Sequence, residues 1–269
     1  METENTTSGN YGTLWLIPAT LDFGTDTSAG LGQFLPDGVI TQASQISHWI
    51  VENAKTARAM LKRYGEVAPL VTPLQQMQIT EMPRHTHKQG DAGFDARPLL
   101  QAALDGHDVG LMSEAGLPAI ADPGASVVRA AHDLHIRVQP LVGPSSILLA
   151  LISSGLSGQN FAFTGYLPTQ ADERKKRIKE LENLALRLGQ TQLFMETPYR
   201  NEAMLDALLT TLTPSTRLAV AFGLTLPNAW QSSMPVSVWE IEWKKLKSKQ
   251  PGSLSEETLK LPAVFAIGK

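Results

Sequence analysis

Between Met112 and Gly124 the chain reads MSEAGLPAIADPG, and between Gly143 and Ser146 it reads GPSS. Both stretches hold too much Gly, Pro and small side chain for a helix or a strand, and neither contains Lys or Arg. Turns of this composition let a ligand approach the main chain and bond to its amides and carbonyls. The missing cations, together with the absence of GxxxxGKS/T and GxGxxG, disfavour a nucleoside triphosphate or a dinucleotide. A ligand whose charge is weak or self-cancelling fits better. The plainer alternative is a well-capped connection, with Asp122 as N-cap and Pro123 at the first helical position. Elsewhere His85 and His87 lie in HTH on one strand face. They form half of a metal site at most, and with no third ligand and no HExxH an acid/base, substrate-binding or structural role is favoured over metal. Glu52 and Glu196 have a plain reading as partnered carboxylates beside turns.

The elements that must hold these turns alternate. GTLWLI (12–17) and HWIV (48–51) read as buried strands, the second followed by Asn53 as N-cap and a helix with Ala57, Leu61 and Tyr64 on one face, stopped at Gly65. Residues 97–105 read as a helix, 108–112 as a strand, 125–134 as a helix and 136–142 as a strand that Pro140 assigns to an edge or a bend. Gly143–Ser146 then opens an apolar helix ending at Gly155. Strand, loop, helix, strand, loop, helix describes a parallel βαβ unit with right-handed crossover, and ligands bind at the carboxyl ends of such strands. Because the strands feeding the two turns are consecutive, the turns are expected side by side, sharing one ligand.

After Gly155 the polar LSGQN is the expected boundary. FAFTGY (strand), 172–188 (helix), QLFME (strand), 201–209 (helix) and three further strands, RLAVAF, PVSVWE and PAVFAIG, predict a mixed, partly antiparallel sheet. The polar segment from Lys244 to Lys260 is read as an exposed loop. The expected organisation is therefore a tail over 1–11, an N-terminal α/β domain over 12–157 with a mostly parallel sheet, and a C-terminal α/β domain over 158–269.

The bulk numbers fit that plan. Of 269 residues, 42% are hydrophobic and 18% charged, near globular averages. A net charge of -3 supplies no general basic field, so a nucleic-acid partner would need local patches. Cysteine is absent, which excludes disulfides, thiolate ligands and a Cys nucleophile. With no signal-like start and no apolar run of membrane-spanning length, the expected location is the cytoplasm.

MSEAGLPAIADPG, IRVQPLVGPSS and FTGYLP, in that order, resemble SDAGTPLISDPG, PLPGP and GFLP of the bacterial small-subunit ribosomal-RNA cytidine 2'-O-methyltransferase family. That family is a branch of the tetrapyrrole-methylase-fold S-adenosylmethionine enzymes. The similarity extends to GTLWLIPAT near the start, to Glu52 in VENAKTAR, to HTH at 85–87 and to LFMETPYR. It implies two α/β domains with S-adenosylmethionine in the cleft between them, usually in a homodimer. It assigns Pro18, Ser113, Gly116, Leu117, Pro118, Ile120, Ser145, Ser146 and Met195 to the cofactor. Without the resemblance, Met195 would read as a core methionine. For a ribose hydroxyl acceptor the implied catalytic candidates are Glu52, His87 and Glu114, with His85 and Arg200 toward the substrate.

Three departures bear on the acceptor. The family's TPIGNL is ATLDFG here, SDAGTP is SEAGLP, and RELTK is replaced by FGLTLP at 222–227, with loss of basic positions that neutralise phosphates. Basic clusters remain at 174–179 and 244–249, each also readable as a solvated face. Three readings follow: an S-adenosylmethionine-dependent RNA (rRNA ribose 2'-O) methyltransferase with rRNA or the small ribosomal subunit as partner, or a paralogue acting on another RNA; a methyltransferase of the same fold for a small molecule or protein; or a cofactor-binding protein without transfer activity.

Overall fold

A computed structural model describes residues 10–22, 30–83, 93–248 and 254–269. Up to residue 9, the expected tail lies outside the described residues. The chain divides into two compact units, residues 1–144 and 145–269.

The first unit is built on β1 (Thr13–Leu16), β2 (His48–Val51), β3 (Gln78–Glu81), β4 (Val109–Met112) and β5 (Arg137–Pro140), all parallel, in the order β3-β2-β4-β1-β5. Helices α1 (Asp37–Ser44), α2 (Ala54–Val67), α3 (Gln101–Leu104) and α4 (Ala125–Asp133) connect them. The central strands β1, β2 and β4 are covered on both faces and read as mainly apolar runs, whereas the edge strands QITE and RVQP are polar and more exposed. Successive β2 residues feed opposite cores: Trp49 packs with Leu61 and Tyr64 of α2, and Ile50 with Leu100, Leu111 and Val127. Trp49 is in register with Gly110 on β4, where a Cβ would lie 2.6 Å from Cε3 of the indole. β5 is an edge strand, which tolerates Pro140.

Three expectations about this unit are corrected. The strands β4 and β5 are consecutive in the chain but not adjacent, because the apolar β1 lies between them and pairs with both. Helix α2 does not stop at Gly65 but runs on to Val67, with Leu70 packed 3.1 Å from where a Cβ of Gly65 would stand. Asp122 and Pro123 do not start α4. Its N-cap is Gly124 at φ 141°, with no side-chain cap, because the chain arrives in a conformation closed to other residues.

The second unit comprises α5 (Ser146–Ser154), β6 (Phe161–Tyr166), α6 (Ala171–Leu188), β7 (Thr191–Glu196), α7 (Asn201–Thr211), β8 (Arg217–Phe222), β9 (Trp230–Pro235), α8 (Val236–Lys247) and β10 (Ala263–Gly268). Its sheet has the order β6-β7-β10-β8-β9, with β6 parallel to β7 and the other pairs antiparallel. Phe194, Phe222 and Phe265 meet α6, α7 and α8 on one face, and Leu193, Ala219 and Val264 meet α5 on the other. The helix expected to close the first domain thus packs on the second sheet, and the observed division falls at Pro144/Ser145 rather than at 157/158. PVSVWE is not a strand. The strand is the preceding WQSSMP, and Val236, Trp239, Trp243 and Leu246 bury one face of α8 at helical spacing. Trp239 Nε1 donates to the Leu218 carbonyl at 2.7 Å, and Lys244–Lys247, expected in a loop, form the last turn.

Glu182 of α6, 1% exposed, is a structural tie. Its Oε1 accepts from Thr213 N at 2.6 Å and from the hydroxyls of Thr213 and Thr216, while Oε2 accepts from Lys179 Nζ at 2.6 Å. Burial raises the carboxyl's pKa, but the hydrogen bonds from Lys179, Thr216 and Thr213 outweigh it and leave the group below its ordinary value.

Candidate functional site

Three loops leave the carboxyl ends of β1, β4 and β5, neighbours in the first sheet. Leu111 O accepts from Ile17 N at 2.9 Å and Leu16 O from Leu141 N at 3.1 Å, so the ladders extend into the loops. Ala19 N donates to Gly116 O at 2.8 Å. A Cβ on Gly116 would sit 3.3 Å from Pro144 O, and one on Gly143 would overlap Pro18 at 2.2 Å. The two turns singled out in the sequence therefore meet with the β1 loop wedged against both, although their strands are not adjacent. Pro18 is buried, and its carbonyl accepts the Tyr64 hydroxyl at 2.5 Å.

Within Ser113–Gly124, left-handed backbone recurs at Gly116 (φ 70°), Ala119 (64°), Ala121 (67°) and Gly124 (141°). For each alanine this costs about 1–2 kcal/mol. Alternation of this kind turns amides and carbonyls out of the usual ladders and creates concave clusters of main-chain partners. Pro118 is buried, Leu117 half-buried and Ile120 exposed. Ser113 is 4% exposed, and its Oγ has no hydrogen-bond partner among the described residues. An unsatisfied buried hydroxyl is expensive unless a ligand or water completes it.

Carboxylates gather at the same edge. Glu52, directly after β2, accepts the Glu114 amide on Oε2 at 3.1 Å. Thr56 of α2 donates to Glu114 Oε1 at 3.2 Å, so Glu114 is held between strand end and helix. Asn53 caps α2 as expected, accepting from Lys55 N and Thr56 N. The residue that sequence reasoning missed is Asp122. Freed from capping, it is half-buried, and burial followed by the charges of Glu52 and Glu114 pushes its pKa up to about 7. Its only sequence signal was a second acid on a loop that already held Glu114. Also unforeseen, Asp22 in the altered first loop pairs with Arg63 of α2 at 2.7 Å and accepts from Thr20 at 2.8 Å.

In the second unit Ser145 is buried at the N-cap of α5 without a capping bond from its side chain, and Ser146 is the first helical residue. Met195 is half-buried on β7. Glu196 is a partnered carboxylate: Arg200 donates to it from Nε at 2.9 Å and Nη2 at 2.7 Å, and Thr197 N at 2.7 Å. The guanidinium of Arg200 is thereby spoken for on two donors. His85 and His87 lie outside the described residues.

Residues 39–234 match the family model described as Tetrapyrrole (Corrin/Porphyrin) Methylases. A protein of Mesorhizobium japonicum named ribosomal RNA small subunit methyltransferase I is 35% identical over 175 residues, 65% of this chain and 53% of that protein. Its namesake in Halalkalibacterium halodurans is 28% identical over 74% of this chain and 60% of its own length. The matched region spans about half to three-fifths of these curated relatives. Among solved structures, the methyltransferase CobJ superposes with a TM-score of 0.54 at 16% identity, covering 96% of this chain and 94% of its own. The uroporphyrin-III C-methyltransferase of Thermus thermophilus complexed with S-adenyl homocysteine gives 0.51 at 12%, covering 96% and 98%. These superpositions establish the fold, with its parallel and mixed five-stranded sheets.

Proposed function

Because the chain belongs to the tetrapyrrole methylase family, we propose that it is an S-adenosylmethionine-dependent methyltransferase whose acceptor is a ribose hydroxyl of small-subunit ribosomal RNA. The relatives' name gives the acceptor class, and the β4–α4 loop carries the cofactor assignment. A zwitterionic ligand needs amides for its carboxylate and oxygens near its cations, with few formal charges around it. Left-handed backbone at four positions, the orphan Ser113 hydroxyl and the lack of Lys or Arg between Ser113 and Gly124 meet those needs. In this reading the cofactor residues are Pro18, Ser113, Gly116, Leu117, Pro118, Ile120, Ser145, Ser146 and Met195.

The bound cofactor supplies a methyl group on sulfonium, already activated for in-line displacement, so the chain's task is positioning and proton management. Asp122 accepts the proton of the attacking hydroxyl. A carboxyl poised near neutrality is half-ionised at working pH and still basic enough to draw that proton. Glu52 and Glu114 keep it poised, and Thr56 fixes Glu114. A cytoplasmic location and a homodimer belong to the same proposal. Leu148 and Ile152, one turn apart on α5, are 46% and 77% exposed and offer an apolar face to a second copy. The test is calorimetric titration with S-adenosylmethionine, followed by transfer of labelled methyl to small ribosomal subunits lacking this modification. Saturable binding with label in ribose is expected. Failure to bind removes the enzyme reading, and label confined to protein or small molecules reassigns the acceptor.

A further inference from the structure

Three long basic side chains, Lys55, Arg58 and Lys62, stand exposed on α2 at i, i+3 and i+7, hence along one face of the helix and over about 10 Å of its axis. Among the described residues, none of the three has an acidic partner within ion-pair distance. The other basic clusters differ. On α6, Arg177 pairs with Glu180 and Lys179 with Glu182, while Lys175 and Lys176 share their turns with Asp172, Glu173 and Glu180. On α8, Lys245 pairs with Glu242, and Lys247 pairs with Glu202 and lies over the Trp243 ring. In a chain of net charge -3, the α2 row is a local cationic stripe whose charges are not already spent within the protein.

The helix is also tied to the candidate site along its length. Asn53 caps it directly after Glu52, Thr56 bonds Glu114, and Arg63 reaches Asp22 in the β1 loop. From this we infer that Lys55, Arg58 and Lys62 form the track on which the acceptor RNA's phosphates lie, leading a ribose to the carboxylates at the helix's N-terminal end. The inference rests on the RNA methyltransferase reading and deepens it. Charge sorts the polymer: phosphates are attracted to the row and repelled by Glu52, Glu114 and Asp122, which leaves an uncharged sugar hydroxyl as the part that reaches the carboxylates. Glu66, exposed one turn beyond Lys62, ends the stripe.

The experiment titrates a short fluorescent single-stranded RNA into the full chain across rising salt, comparing wild type with the Lys55→Gln, Arg58→Gln, Lys62→Gln triple variant. Three lost phosphate contacts lower the slope of log affinity against log salt by about 2, and the affinity itself about tenfold to a hundredfold. S-adenosylmethionine binding, read calorimetrically, stays at the wild-type value and shows that the variant is folded. The charge-preserving Lys55→Arg, Lys62→Arg variant keeps the wild-type slope, as does Lys175→Gln, Lys176→Gln on α6. A triple variant with unchanged slope and affinity, in a chain that methylates RNA, overturns this inference alone. Equal loss from the α6 variant overturns it as well, and a wild-type chain with no salt-dependent RNA binding takes the acceptor reading down with it.

Discussion

Two groups of buried or half-buried carboxylates sit in the two units, and they are built on opposite principles. Glu182 is surrounded by donors, from Lys179, Thr213 and Thr216, and every hydrogen bond favours its charge. Asp122 is surrounded by burial and by two more acids, and each neighbour disfavours its charge. The satisfied carboxylate welds α6 to the segment before β8, whereas the frustrated one is left able to exchange a proton near neutrality. Structural and chemical acids are thus told apart by the sign of what surrounds them rather than by depth alone.

The largest effect is expected from Glu182→Ala, which strands the Thr213 amide and two hydroxyls in the interior. A loss of about 3 kcal/mol lowers the melting temperature by roughly 6–12 °C in calorimetry. A shift under a degree would mean that this carboxylate is no tie. Next, Asp122→Asn reduces methyl transfer about a hundredfold and abolishes the rise in rate through about pH 7, while leaving cofactor affinity intact. Retention of that rise in the variant would assign the base elsewhere.

The two groups also pull stability in opposite directions with pH. Asp122, with its folded-state pKa raised, favours the protonated form, so its contribution is full below about pH 4 and is lost as pH climbs through about 7. Glu182, with its value depressed, stabilises above the ordinary glutamate pKa and loses that contribution as pH falls below it. Denaturant midpoints measured from pH 3 to pH 8 should therefore lose their acid limb in Glu182→Gln and their neutral decline in Asp122→Asn. The smallest effect is expected from Glu114→Gln, which removes one repelling charge and moves the rate midpoint below pH 7 by less than about one unit. A midpoint that rises instead would reverse the sign assigned to this neighbour.

Much of this architecture was readable in the residues because burial on both sheet faces forces apolar strands, and HWIV and RLAVAF obey that rule. Gly155 and Asn53 marked helix ends because only a left-handed glycine and a capping side chain serve there. Segments that failed did so where two patterns coincide. PVSVWE alternates like a strand, yet Trp239, Trp243 and Leu246 continue it at helical spacing, and the three-dimensional core chose the helix. DPG looks like a helix start, but the capping role passed to Gly124 because the loop arrives left-handed. The two turns were legible and their contact was expected, though for the wrong reason, since strand order depends on pairing across β1 that no local pattern encodes. Asp122 was hidden because its pKa is raised first by burial and then by Glu52, seventy positions earlier, and both exist only after folding.

One contact in the first sheet reaches beyond chemistry into inheritance. The indole of Trp49 occupies the space that any side chain at position 110 would need, so position 110 is not free to drift while the tryptophan stands. A larger residue at 110 can be accepted only in a lineage where position 49 has already shrunk, and a return to tryptophan then stays closed until glycine is restored. The order in which ancestors acquired these two residues is therefore fixed by a steric gate.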